Sequence, residues 1–232
     1  MSRTFTLVDS LALGDLQVFL RRAQRVEDGS VRLIAGSGVL AVYTSVLHPA
    51  GLLDESPTVL GLRTFAVSTT EAFDSVVPVR SLLARIDSRL ETAAEVADAT
   101  AQSIEVALPL EVNTVSWAAI SPPRGGWHPL DPIPASTLHR VAREGIEEVA
   151  EALPTGAGEQ IVKRVRTEVW SRTIDDRDYL PAGAAFAALS LGFLGEPDAE
   201  EQVAVFESGP WTRVTTPRGH VLIKRRAWVM AR

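Results

Sequence analysis

The chain contains no cysteine. That absence removes disulfides, thiolate nucleophiles and zinc–thiolate sites in one step. Lysine is nearly missing too: only Lys163 and Lys224 occur, and every other basic residue is arginine. Such a bias is the mark of a GC-rich bacterial coding sequence, so the mere presence of an arginine argues for little. No apolar run approaches the roughly 20 residues that cross a bilayer. The opening MSRTFTLVDS also lacks the basic start and apolar core of a signal peptide. A soluble, cytoplasmic protein with no membrane partner is therefore expected. Compact catalytic signatures are absent as well. There is no HExxH, paired-His spacing, Walker loop or GxSxG elbow, and Gly36-Ser37-Gly38 is too short for a dinucleotide fingerprint. Nothing calls for a cofactor. The acidic group Asp175, Asp176 and Asp178 reads as a solvated turn, able at most to hold a hard cation weakly.

What is present is enough for a substantial core. The 232 residues are 46% hydrophobic and 22% charged, the composition of a folded chain of one large or two small domains. The net charge of -6 conceals an asymmetry. From Ser208 onward there are six cations (Arg213, Arg218, Lys224, Arg225, Arg226, Arg232) and no acid, which leaves -12 on the rest. A basic module thus follows an acidic body. It either engages an anionic partner or docks on the protein's own acidic surface.

The stretch SPPRGGWHPLDPIPAS, residues 121–136, divides the chain. Five prolines and two glycines in one short run exclude helix and central strand, and leave an extended or turning connector. Before it, residues 1–120 read as a sheet-rich half. Strands are expected at 4–8, 31–35, 39–46 and 59–67, the second and third joined at Gly36-Ser37-Gly38. The second and third, 31–35 and 39–46, are apolar on both faces, as for central strands covered at least partly on both sides. A helix capped by Ser10 or Gly14-Asp15 should run to Val26, with Leu16, Phe19, Leu20, Ala23 and Val26 inward. A second should start at Asp74 or Ser75 with Pro78 in its first turn. It carries Val79, Leu82, Leu83, Ile86 and Leu90 on one face and extends to about Ala101. Further strands are expected at 104–108 and 112–120, with Trp117 in the core.

After the connector, residues 137–232 read as three helices and a basic β-meander. The first is capped by Ser136, with Leu138, Val141, Ala142, Gly145, Ile146, Val149, Ala150 and Leu153 inward and His139 solvated. The second covers 159–172. The third, AGAAFAALSLGFLG, is apolar all round and should be buried. Strands close the chain at 203–206, 211–215 and 220–226. The expected fold class is α+β, with a mixed or mainly antiparallel sheet and two helices first, then a three-helix cluster with a small meander.

Three helices followed by a basic hairpin resembles the element order of a winged helix-turn-helix. The third helix, however, offers base edges only Ser190, so any nucleic-acid contact would be to the backbone, through the hairpin and the Lys163 to Arg172 face. Two Pro-Arg-Gly turns, Pro123-Arg124-Gly125 and Pro217-Arg218-Gly219, are each followed by a histidine (His128, His220) and lie near Trp127 and Trp211. Proline and glycine suit the ends of a tight turn and leave arginine at its tip. If the tips converge, paired guanidinium groups and indole faces would hold a phosphate or carboxylate. Candidate ligand-binding residues are therefore Arg124, Trp127, His128, Arg213, Arg218, His220 and Lys224. The function these support is a non-catalytic binding or regulatory protein that engages an anionic ligand or a protein partner through the C-terminal hairpin. The alternative is an enzyme on a phosphorylated or carboxylated small molecule, with His128 or His220 moving a proton and the turn arginines clamping an oxyanion.

Overall fold

A computed structural model describes residues 3–51, 54–68, 71–94, 103–154, 156–197 and 201–225. The chain divides into two compact units. One comprises Met1–Ser45 and Leu62–Ile120, the other Val46–Gly61 and Ser121–Arg232.

The first unit opens with β1 (Thr4–Leu7), which pairs antiparallel with β6 (Ile104–Ala107). Helix α1 (Ser10–Val26) follows. Its cap is Asp9, one residue before the serine expected to serve, and Asp9 Oδ1 accepts the Ala12 N–H at 2.7 Å. The shorter acidic side chain at an extended backbone position satisfies a donor that the helix itself leaves open. Leu16, Phe19, Leu20, Ala23 and Val26 are all buried, as their spacing requires. Strands β2 (Ser30–Gly36) and β3 (Val39–Leu47) form a hairpin closed by Ser37 (φ 52°) and Gly38 (φ 77°). Two successive positive φ values make the turn whose twist matches the strands. Burial alternates along β2, whereas the end of β3 from Thr44 to Leu47 is buried on both faces.

Residues 73–78 correct the sequence reading. They form β5 (Phe73–Pro78), not the start of a helix, and α2 (Val79–Ala94) begins only after the proline. Phe73, Ser75 and Val77 point inward at period 2, and β5 pairs along its length with β2. Pro78 is tolerated because it is the last residue of an edge strand. The predicted extension of α2 beyond Ala94 lies outside the described residues. The strand expected at 112–120 is absent. Only a short 3-10 turn, Ser116–Ala119, forms there, and Trp117 within it is buried.

With β4 (Thr58–Ala66) contributing to both units, strand order is β5-β2-β3-β4 in the first and β4-β12-β11-β10-β7 in the second, where β7 is His128–Pro134, β10 Gln202–Ser208, β11 Trp211–Thr216 and β12 Gly219–Lys224. The pairings of β2 with β3 and β5, of β10 with β7 and β11, and of β11 with β12 are all antiparallel. The fold is therefore α+β.

In the second unit the proline-rich stretch is itself a strand. β7 (His128–Pro134) pairs with β10 (Gln202–Ser208), at the edge of the order and with a bulge between Val203 and Val205. Prolines 129, 132 and 134 cost few ladder bonds there, because an edge strand has one side without a partner. Helix α3 (Ala135–Ala152) starts directly after Pro134, so Ser136 is not its cap. α4 (Glu159–Trp170) follows, and the acidic loop proves to be a hairpin of β8 (Thr173–Ile174) and β9 (Arg177–Pro181) with Asp175 and Asp176 at positive φ. α5 (Ala182–Ser190) is buried on nearly every side, and β10, β11 (Trp211–Thr216) and β12 (Gly219–Lys224) complete the meander. Val203, Val205, Val214, Val221 and Ile223 make one buried face of it, and α5 packs on β12. Alanine and glycine let that helix come close. His139 is likewise corrected: it is 5% exposed, with Nε2 3.2 Å from the Gly195 carbonyl oxygen.

Candidate anion-binding site on the C-terminal sheet

The meander has a second face, less buried along β11 than the first, which gathers several of the predicted residues. In β11, buried Thr212, Val214 and Thr216 alternate with Arg213 and Thr215, which are half-buried. Register places Phe206 opposite Arg213 and Thr215 opposite His220. Directly paired residues share a face, so strand period alone brings Phe206, Arg213, Thr215 and His220 to one surface. Pro129 lies opposite Phe206, and Trp127, two residues earlier, reaches the same surface.

The outcome is a guanidinium held by two rings. The Arg213 Cζ atom lies 4.5 Å from the Trp127 ring centre and 4.7 Å from that of Phe206. Both distances are within cation–π range. Nε of Arg213 is buried and has no hydrogen-bond partner. Burial pushes the Arg213 pKa below its usual value. Elsewhere in the chain arginines meet carboxylates: Arg3 with Glu111, Arg32 with Asp74, Arg63 with Asp15, Arg80 with Asp28 and Arg172 with Glu148. Arg213 makes no such pair among the described residues. A partly desolvated cation in an aromatic cradle, lacking an anion, can accept one from outside the chain.

His220 completes the surface. Its Nδ1 lies 3.1 Å from Thr215 Oγ1, and its pKa is lowered, first by burial and then by the positive charge of Arg213. Both causes disfavour the imidazolium form. Lys224 sits at the far end of β12, with Nζ 6.0 Å from the Trp211 ring centre.

The remaining predicted residues do not join this group. Arg124 is exposed in the segment next to the β10–β11 turn, where Ser208 Oγ donates to the Gly125 carbonyl at 3.5 Å. Arg218 is exposed on the β11–β12 turn, and its Nη1 donates to the Leu194 carbonyl at 3.4 Å. These turns cap opposite ends of the six-residue β11, a separation of about 17 Å at strand rise. The two Pro-Arg-Gly tips therefore do not converge. His128 is exposed at the start of β7, opposite Glu207. Among the described residues no cluster of three or more potential ligands could hold a metal, and no helix is long and apolar enough to cross a membrane. Phe206 was missed by the sequence reading. Its signal was there in the strand alternation, but only register shows that it faces Arg213.

Residues 1–107 match a family model described as a domain of unknown function, DUF8010, and residues 122–228 match another, DUF8185. No curated protein matches. Among solved structures, the chain resembles the DNA polymerase sliding clamp from Bacillus subtilis at 9% identity and a TM-score of 0.50, covering 100% of this chain and 67% of that one. It also resembles the DNA polymerase III subunit beta from Pseudomonas aeruginosa (15% identity, TM-score 0.49, 99% and 66% covered) and the sliding clamp from Caulobacter crescentus (12%, 0.48, 99% and 67%). The chain thus spans about two thirds of the length of these proteins. The likeness to the Bacillus subtilis structure is one of fold: this is a sliding-clamp-like α+β chain.

Proposed function

We propose that this chain is a non-catalytic binding protein whose recognition surface is the sheet face carrying Trp127, Phe206, Arg213 and His220, and that it takes a carboxylate from an acidic segment of a protein partner. The observation that carries the reading is the Arg213 guanidinium, stacked between two rings with its Nε buried and unpartnered. Tryptophan and arginine in a partly desolvated patch are the composition of protein-interface hot spots. The site lies on a sheet face, which suits an extended polypeptide better than a small metabolite. His220 supports binding and not proton transfer, because its ring is bonded to a threonine hydroxyl and not to a carboxylate.

A second reading is nucleic acid, suggested by the Bacillus subtilis neighbour, which is a DNA polymerase sliding clamp. Charge argues against it. The chain carries -6, and the outer side of α3 bears Glu144, Glu147, Glu148 and Glu151, whereas backbone binding draws its affinity from many cations.

The test is a titration of the full chain with a Glu-rich peptide, its Gln-rich counterpart and 20-mer single- and double-stranded DNA. The Glu-rich peptide alone is expected to bind, and Arg213→Met to abolish binding while leaving the fold intact. Equal binding of the Gln-rich peptide, or salt-sensitive binding of DNA only, would overturn the reading.

A further inference from the structure

Arg213 shares its sheet face with a second cation. In the register of β11 with β12, Trp211 stands opposite Lys224, Arg213 opposite Leu222 and Thr215 opposite His220. Strand period therefore gives Arg213 two diagonal neighbours on β12, Lys224 and His220, each about 7 to 8 Å away. They differ in what they have left to offer. His220 Nδ1 is already 3.1 Å from Thr215 Oγ1. Lys224 is half-buried with its Nζ 6.0 Å from the Trp211 ring centre, and it makes no ion pair among the described residues. Each cation thus rests on an indole, Arg213 on Trp127 and Lys224 on Trp211.

The meander supplies these two cations with no carboxylate of its own. β11 and β12 contain no acid. The acid of β10, Glu207, stands opposite buried Thr212 on the other face, where its Oε2 lies 3.8 Å from Arg225 Nη2. Two cations one diagonal apart set a spacing for what they bind. In an extended chain the side chains at i and i+2 leave on the same side, about 6.8 Å apart, whereas those at i and i+1 leave on opposite sides. The diagonal matches the first spacing and excludes the second.

Given the carboxylate-binding role proposed for Arg213, on which this rests, we infer that Lys224 is the second anchor of the same surface and that the acidic segment bound there is extended, with carboxylates at i and i+2 on Arg213 and Lys224. The partner is thereby narrowed from an acidic segment to one whose acids alternate.

The experiment is fluorescence anisotropy of three labelled peptides of equal length, carrying Glu-Gly-Glu, Glu-Glu-Gly or Glu-Gly-Gln in a Gly-Ser background, titrated with the full chain. Circular dichroism checks the fold of every variant. Glu-Gly-Glu is expected to bind about 5-fold more tightly than either of the others, the margin of one further ion pair at a partly exposed site. Glu-Glu-Gly carries the same charge, so net attraction alone cannot produce that margin. In Lys224→Met the two-acid peptides should bind alike, and Lys224→Arg should restore the preference. Arg213→Met should lose all three. Equal binding of Glu-Gly-Glu and Glu-Glu-Gly to the wild type, or a preference that survives in Lys224→Met, overturns the inference while the Arg213 reading stands. If none of the three binds the wild type, that reading falls and the inference with it.

Discussion

Replacing Gly145 with alanine isolates a packing effect that propensity predicts with the wrong sign. In an exposed helix interior the change would stabilise by about 1 kcal/mol, since glycine loses more backbone entropy on folding. Gly145 is buried in α3. A Cβ added there would lie 2.3 Å from Trp170 Cζ3, 2.6 Å from Cη2 and 3.3 Å from Cε3. The indole cannot move aside. It is stacked on Phe186 at 4.4 Å and 18°, and the Trp170 backbone oxygen lies 3.0 Å from where a Cβ on Gly183 would sit. Overpacking of this kind costs up to about 3 kcal/mol. Against the helix gain, a net loss of about 2 kcal/mol remains, or a fall in Tm of about 4 to 8 °C for a chain of this length. Urea unfolding followed by far-UV circular dichroism measures it. In Gly145→Ala/Trp170→Phe the two losses should fall short of additivity by at least about 1 kcal/mol, because the contact is shared. A Tm that rises in Gly145→Ala, or strict additivity in the double variant, would refute the packing argument.

Three further outcomes are expected. Because its pKa is lowered in the folded chain, His220 contributes stability that is full above the unfolded value of about 6.5 and is lost as the pH falls through the folded value. His220→Gln should flatten that part of the stability–pH curve, and in Arg213→Met the His220 pKa, followed by NMR, should rise part of the way towards normal, burial being the larger cause. Asp9→Ala should cost about 1 kcal/mol through the lost cap while Asp9→Asn costs much less, as read from urea unfolding. Arg32 donates to both oxygens of Asp74, at 2.8 and 2.6 Å, and to the Ile120 carbonyl at 3.3 Å. Arg32→Met should therefore cost about 1 to 2 kcal/mol, since the guanidinium is largely buried but Asp74 is half exposed. A change below about 0.3 kcal/mol would show the pair to be ornamental.

Periodic segments were legible because their burial is local. Leu16, Phe19, Leu20, Ala23 and Val26 can be buried together only on a helix, and residues 182–189, which carry no polar side chain, only in a core. Residues 73–78 were misread because Pro78 suits both a first helical turn and the end of an edge strand, and only pairing with β2 decides between them. The same ambiguity hid β7. Its prolines exclude a central strand but not an edge one, and edge position is a property of the whole sheet. Of the candidate site, Trp127, Arg213 and His220 come together because period and register agree. Arg124 and Arg218 do not, since similar turns at successive strand ends lie a strand's length apart. His139 was misplaced because the Gly195 carbonyl that it meets lies 56 residues away.

The Arg213 Nε–H resonance of the folded chain gives the most direct reading of the proposed surface. It reports a guanidinium atom that is both buried and without a partner among the described residues, and it can be followed by NMR while acetate and then the Glu-rich peptide are titrated in. The account predicts a saturable shift with both probes, tighter for the peptide, that is accompanied by a rise in the His220 pKa as the anion offsets the charge of Arg213. An Arg213 resonance that stays in place through saturating peptide, or that moves equally with the Gln-rich peptide, would contradict it.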